Sequence, residues 1–495
     1  MIRGTLLCAA LTSVFAAWAC SSDPAATPAP TPGGSDAGVD APGPSPDGAT
    51  PNDGGTEAGK PFPKPTPFAV PLSATGPDQL QALVAGPGGT FYAAGFAAET
   101  VTGPKMLTVV KMTATGPDAT FGTAGVVKTT VEVAGAAGEI ALAVQPGGKL
   151  VIAASVPNAT DPADRDVALV RLDDKGALDT TFGVDGVRVL DLNTAVDSTQ
   201  NAQRDGAHAL TIGSAGEIYL HARTRGDGAR TDSDFAIVKL TEAGALDTTF
   251  NAAGATPGKI TLDFGAPSAN AAPRGIVLLA DGSLIASGYA TSSLVGNTAQ
   301  VVLYKVSGST GAAVTAFGDN GLFHQVVLTL QTEAYNIALH GTKIVTGGYG
   351  RNTGTTNDWV SLRFDTVTGA RDTGWGGAAN GAVFFDPGGK ALGSNCRNTI
   401  ALPGGKTLLL GSTGPSNTTT QDAAFAVLDA NGRLDTSYGT GINLFPFGAG
   451  EGGSDQFWGA AVSGDKVMVV GYKGAGATQT EALNDDAYGV AFPLQ

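Results

Sequence analysis

Positive charge is scarce in this chain: 29 Lys and Arg stand against 44 Asp and Glu in 495 residues, a net charge of −15. That balance repels polyanions, so it argues against a nucleic-acid-binding protein and against a polybasic membrane surface. Histidine is rarer still. His208, His221, His324 and His340 are the only four, and no metal-ligand or catalytic-triad spacing links them. Cysteine occurs three times, at Cys8, Cys20 and Cys396. Cys8 leaves with an export segment and Cys20 is a candidate anchor, which leaves Cys396 alone and excludes an internal disulfide. With no histidine near it in sequence, Cys396 reads as a small buried side chain rather than a nucleophile. Convincing helical periodicity is missing, and the one long apolar run, Thr5 to Ala19, is too short for a membrane span.

What the chain has instead is repetition. The turn Leu178-Asp179-Thr180-Thr181-Phe182-Gly183 returns as Leu246 to Asn251 and Leu434 to Gly439, with worn copies around residues 121, 317 and 375. Its aromatic therefore steps through Phe121, Phe182, Phe250, Phe317, Trp375 and Tyr438. A second turn carries glycine at Gly89, Gly148, Gly216, Gly282 and Gly405, where a positive φ is expected. Between the turns lie short runs of Val, Leu, Ile and Ala with partial alternation, four strands to a copy. In the second copy they are residues 141–144, 149–156, 166–173 and 186–192.

Four-stranded units at a fixed period of about sixty residues point to the blades of a β-propeller. Seven copies begin near residues 78, 137, 205, 270, 332, 394 and 455. The seventh has three strands, and the orphan strand-like segment 67–72 is placed to fill the gap and close the ring. Closure hides sheet edges that would otherwise recruit other chains. An open solenoid of the same repeats is the alternative.

Strand three opens as Asp166-Val-Ala-Leu-Val-Arg171 or Asp234-Phe-Ala-Ile-Val-Lys239, and together with the aromatic turn this resembles the delta-60 repeat family of bacterial, notably myxobacterial, secreted and surface proteins. The resemblance covers nearly all of 67–495. It implies a propeller and an extracytoplasmic location, and it brings no catalytic motif. Copies four and five depart from the pattern, with Gln300 at the strand opening and no Leu-Asp before Phe317.

The N-terminus has its own logic. Arg3 and the apolar run after it form an export signal over 1–19. Ala17-Trp18-Ala19 suits ordinary signal peptidase, yet Cys20 follows at once and the segment resembles a bacterial lipobox, departing from it at Ala17 and Trp18. Lipidation at Cys20 is the expectation, with an outer-membrane or cell-surface address, and a soluble secreted or periplasmic product is the alternative. Residues 20–66 are Pro, Gly, Ala, Ser, Thr and Asp with few large apolar side chains, so they form a linker that cannot repay the entropy of ordering. At 5–6 Å times the square root of its length, it holds the propeller on the order of 40 Å from its anchor.

Propeller topology sorts the loops. The two regular turns share one face, and the long, dissimilar loops share the other, where binding is expected. At the start of strand one, nearest the channel, the equivalent positions read Gln81, Ile140, His208, Arg274, Tyr335, Asn398 and Trp458. Six of these seven are polar or aromatic, so they form a candidate ligand ring at the channel mouth. The ring has no Asp or Glu, which speaks against glycosidase chemistry. Asp166, Asp234, Asp422 and Asp486 recur at one place in the blade and read as turn or capping residues. Asp227, Asp232 and Asp234 lack the ordered spacing and terminal Glu of an EF-hand. The sequence therefore reads as a tethered, non-catalytic, monomeric propeller that needs no metal or cofactor and binds an envelope or extracellular protein or glycan. A polysaccharide-active lyase or glycosidase with residues scattered on loops is one rival, and an envelope spacer without ligand is another.

Overall fold

A computed structural model describes residues 62–495 apart from 135–137, 162–163, 194–204, 226–231, 265–269, 292–297, 355, 379, 390–392, 415–420, 448–453 and 475–485. Cys20, the export signal and all but the last residues of the linker lie outside the described residues, as does most of five of the long loops. Residues 59–495 form one compact unit.

The strands make a closed, seven-bladed, all-β propeller. Its inner strands are Asp78–Ala85, Ile140–Val144, Gly206–Ile212, Asn270–Leu278, Gln331–His340, Ser394–Ala401 and Gln456–Ser463. Each blade runs antiparallel from this strand outward; in blade two the order is Ile140–Val144, Leu150–Pro157, Arg165–Leu172 and Val187–Leu190. Hydrogen bonding joins blades three and four through a single parallel bridge, Ser233 to Asn270. Every blade is sandwiched between two others, so its middle strands are buried on both faces. Arg165–Leu172 is buried along its full length. Alternation in the sequence is only partial for that reason.

The seventh blade is composite. Pro67–Ala69 pairs antiparallel with Asp486–Pro493, Pro67 opposite Val490 and Ala69 opposite Tyr488, and supplies the missing outer strand. Phe68 covers Gly489, where a Cβ would come within 2.7 Å of its ring. Blades seven and one then share a core of Leu80, Leu83, Phe91, Met468 and Val470, which closes the ring.

The repeated aromatic holds neighbouring blades together. Phe121, Phe182, Phe250, Phe317, Trp375 and Tyr438 are all fully buried. The first five each press on a glycine of the next blade: a Cβ on Gly176, Gly244, Gly311, Gly369 or Gly432 would meet the ring at 2.6–3.2 Å. A backbone hydrogen bond crosses each of these junctions, from Gly122 N to Lys175 O (2.9 Å) in the first and from Gly376 N to Asn431 O (2.8 Å) in the last. The preceding Asp caps the turn: Asp179 accepts from Thr181 N at 3.1 Å and pairs with Lys149 and Arg171. Blade four lacks this Asp yet keeps the turn, because Phe317 N still donates to Val314 O at 3.0 Å. Tyr438 faces no further glycine. Its hydroxyl accepts from Gln495 N at 2.9 Å, and Phe62 packs on its ring at 5.4 Å.

Buried acceptors mark the junctions on the other face. Asp78 accepts from Ser73 N (2.8 Å) and Ala487 N (2.6 Å), Asp205 from Leu192 N (2.6 Å), and Asp455 from Phe447 N (2.9 Å) and Gly474 N (3.0 Å). Thr332 takes the same place in blade five and accepts from Val327 N and Leu328 N. Burial pushes Asp78 up to about 7 and Asp455 up to about 6, and raises Asp205 well above the usual carboxylate range.

Candidate functional site

Six inner strands carry a β-bulge near their starts. A bulge inserts one residue opposite no partner and re-aims its side chain. The residues skipped in the ladders are Gln81, His208, Arg274, Tyr335, Arg397 and Trp458. All six line one central cavity of about 450 Å³. In blade two Ile140 pairs directly with Ala154, without a bulge, and presents an apolar side chain to the same cavity.

One sequence assignment shifts by a residue. Asn398 lines the cavity but sits in the ladder opposite Leu410, and the bulged position in blade six is Arg397. Counting back six residues from the turn prolines Pro87 and Pro403 gives Gln81 and Arg397. Two residues after the bulge, blade six has buried Thr399 where the other blades carry an apolar residue, so its apolar pattern points one residue too far along the strand. Asn398 has a bracing role: it donates to Trp458 O at 2.7 Å and accepts from the Asn336 side-chain amide, linking blades five, six and seven.

Five of the six bulges rest on glycine in strand two, and the sixth, at His208, faces Ala222. Gly95, Gly288, Gly348, Gly411 and Gly471 lie opposite the residue before the bulge. A Cβ at any of these five would stand 1.8–2.3 Å from the carbonyl oxygen two residues before the bulged one. Blade two has Ala154 at this place and its strand runs straight, whereas blade three has Ala222 there and keeps its bulge at His208, so glycine eases the close approach without being what makes a bulge.

Around the mouth the side chains interlock. The Arg274 guanidinium lies 4.3 Å from the Tyr335 ring centre and 5.5 Å from that of Tyr289, and it reaches His208 Nδ1 at 3.2 Å. Arg397 donates to the Tyr335 hydroxyl at 2.9 Å and lies 5.0 Å from the Trp458 ring. Tyr349 closes the group, its hydroxyl 3.2 Å from that of Tyr335. Behind them Glu333 is buried and bonded to Gln331, and burial raises its carboxyl above the usual range. Burial also depresses His208, so it is a neutral ring at physiological pH, and raises the Tyr289 and Tyr349 hydroxyls well above the usual range. Arg274 Nε, His208 Nε2 and Trp458 Nε1 are buried without a hydrogen-bond partner among the described residues.

Elsewhere on the rim Gln81 Oε1 accepts from Gly138 N at 3.0 Å, and Gly138 lies under the Trp458 ring. Glu139 is held by Arg165 at 3.0 Å and Arg223 at 3.4 Å. Tyr289 and Tyr349 come from second strands, Ser283–Thr291 and Lys343–Arg351, and sequence reasoning confined to first strands missed them. Each directly follows a bulge-facing glycine, Gly288 or Gly348, and that adjacency is the signal that marks them. Cys396 is fully buried, and burial pushes its thiol up to about 12, so it is no nucleophile.

Fold and site together define a β-propeller with a channel-mouth cavity lined by aromatic rings and guanidinium groups. The chain matches no protein-family model and no curated protein. Among solved structures it is similar to a protein of unknown function from Dyadobacter fermentans (11% identity over 88% of this chain and 99% of that one, TM-score 0.40). It is also similar to the polysaccharide lyase Uly1 (10% identity, 90% and 94% covered, TM-score 0.44) and to the β-propeller domain of the Trilobed protease from Pyrococcus furiosus (10% identity, 83% and 95% covered, TM-score 0.40).

Proposed function

We propose that this is an exported, Cys20-lipidated envelope propeller of the delta-60 repeat type, and that its channel mouth binds an acidic glycan without transforming it. The observation that carries the reading is the pair of guanidiniums, Arg274 and Arg397, converging on Tyr335 from two blades. In a chain of net charge −15 this concentrates positive charge at one cavity. Planar guanidiniums match carboxylates in a two-toothed fashion, and the neighbouring faces of Tyr335 and Trp458 suit the apolar face of a sugar ring. The partnerless Trp458 Nε1 and Arg274 Nε are donors that a bound oxyanion or hydroxyl would satisfy. A cavity of this size counts against a bare spacer.

A catalytic reading has one observation in its favour. The Tyr335 hydroxyl between two guanidiniums, with neutral His208 beside Arg274, supplies the groups that β-elimination of a uronate needs: charge neutralisation and a proton carrier. The test is a binding screen of the full chain against acidic and neutral envelope glycans and surface-protein extracts, beside an Arg274→Ala/Trp458→Ala double variant. Binding of acidic glycans that disappears in the folded variant supports the mouth site. Binding that survives moves the site to the outer loops, a hit confined to protein extracts replaces the glycan, and new ultraviolet absorbance from unsaturated products makes the protein a lyase.

A further inference from the structure

We propose that the junction of blades two and three holds a calcium ion between Asp166, Asp191 and Asp205, a site separate from the channel mouth. These carboxylates open strand three of blade two, follow its outer strand, and precede the inner strand of blade three. They are far apart in sequence, yet one oxygen from each lies within 4.8 Å of the others. Oxygens sharing a calcium ion at 2.3–2.6 Å must fall within about 5 Å of one another, so the spacing fits.

The second observation is an orphaned atom. Asp205 is 1% exposed; its Oδ2 accepts from Leu192 N, while its Oδ1 is buried without a hydrogen-bond partner among the described residues. A buried carboxylate oxygen left bare costs free energy unless a cation or proton meets it. The cation whose charge acts on Asp205, Lys259, directs its ammonium to Leu192 O at 2.6 Å. Burial first, and the crowding of neighbouring carboxylates after it, raise Asp205, Asp166 and Asp164.

The remaining contacts hold the ligands in place rather than neutralise them. Asn158 Nδ2 donates to both oxygens of Asp166 at 3.1 and 3.3 Å, and Asp191 Oδ1 accepts from Asn193 N at 3.1 Å. A cluster built from carboxylate oxygens alone, with no imidazole or thiolate in it, selects a hard cation. Calcium accepts irregular carboxylate sets, whereas magnesium demands a near-ideal octahedron. The next blade gathers a second carboxylate group, Asp232, Asp234 and Asp263, though all three come from that one blade and none takes the place of Asp205. In blade five the corresponding place carries Asp386 bonded to Ser394, and the third carboxylate is gone.

The experiment is calorimetric titration of calcium chloride into the metal-stripped full chain, with magnesium chloride as control and melting temperature followed in parallel. Wild type, Asp205→Asn and Asp191→Asn are compared; Asp191 is exposed, so its variant tests the site even if the buried substitution fails to fold. A dissociation constant of about 10⁻⁴ to 10⁻³ M, a rise in melting temperature with calcium, and loss of one binding equivalent in Asp191→Asn are expected. The proposal is overturned by the absence of calcium heat up to about 10 mM, well beyond that range. Calcium binding with unchanged stoichiometry and affinity in Asp191→Asn overturns it equally, as does magnesium binding as tight as calcium.

Discussion

If glycine opposite the bulge is what aims Tyr335 into the channel, then Gly348→Ala must damage the site and the blade together. The added Cβ would stand 1.8 Å from Glu333 O and 2.8 Å from its carbonyl carbon. Ordinary contact requires roughly 3 Å or more, so the two strands must part by about 1 Å or the bulge must straighten; blade three is bulged opposite Ala222, which makes parting the expected route. Separation weakens the ladder, and overpacking of this kind costs about 1–3 kcal/mol. Straightening shifts the register, and a shift of one residue turns Tyr335 to the other face of the sheet. Either route breaks the contacts of Tyr335 with Arg274, Arg397 and Tyr349. Urea unfolding should therefore show a loss of about 1–3 kcal/mol, with acidic-glycan binding weakened at least ~10-fold. Ala154→Gly in blade two is the mirror control, expected to cost about 1 kcal/mol and leave binding intact, because no bulge depends on that position. Wild-type stability and wild-type binding in Gly348→Ala would refute the account.

Phe182→Ala should destabilise by about 3–5 kcal/mol, since the ring is fully buried between blades. Gly244→Ala should cost less in that background than alone, because its Cβ would clash with the Phe182 ring at 2.6 Å; equal costs in both backgrounds, measured by urea melts, would show that ring and glycine are not coupled. Asp78 gives a pH signature. Its folded value, about 7, lies above the ordinary 3.8, so the native state keeps a proton that the unfolded chain releases. The stability this contributes is full below pH ~4 and lost as pH rises through ~7, on the order of a few kcal/mol. His221, lowered to about 3 by burial, slopes the opposite way up to pH ~6.5, so the wild-type curve alone does not isolate Asp78. The stability of wild type relative to Asp78→Asn should instead fall between pH 5 and 8, and a flat difference would contradict the assignment.

The blade count, the ring and its closure by residues 67–69 were legible in the sequence, because they rest on turns whose residue types are fixed by local physics. Gly89, Gly148, Gly216, Gly282 and Gly405 all have φ between 75° and 85°. The channel ring was legible through an interruption: in Leu80-Gln81-Ala82-Leu83 a polar side chain breaks an apolar run, and the bulge is the structural form of that break. Blade six was misread by one residue because Thr399 removed the apolar mark used for alignment. Tyr289 and Tyr349 carry a local mark in the glycine before each, but their meeting with Tyr335, and the place of Glu333 behind them, depends on how the blades fan round the axis. Of the three aspartates at the blade two–three junction only Asp166 stood out in the sequence, as a turn or capping residue, for the same reason. Asp166 and Asp205 lie on different blades, and only their packing makes them one cluster.

Two sets of glycines divide the work of this molecule. Gly176, Gly244, Gly311, Gly369 and Gly432 let each blade receive its neighbour's aromatic ring, and a side chain there would push the blades apart. Gly95, Gly288, Gly348, Gly411 and Gly471 admit five of the six bulges, the sixth facing Ala222. The bulged residue itself has no partner in the ladder, so Gln81, His208, Arg274, Tyr335, Arg397 and Trp458 can differ without disturbing the sheet that carries them. Substitution at the mouth should consequently change what is bound at little cost in stability, whereas substitution at either glycine set should cost stability whatever the ligand. Only a site whose frame is fixed elsewhere can separate the two in this way, and here the frame is fixed by the aromatic junctions at the rim of every blade from one to six.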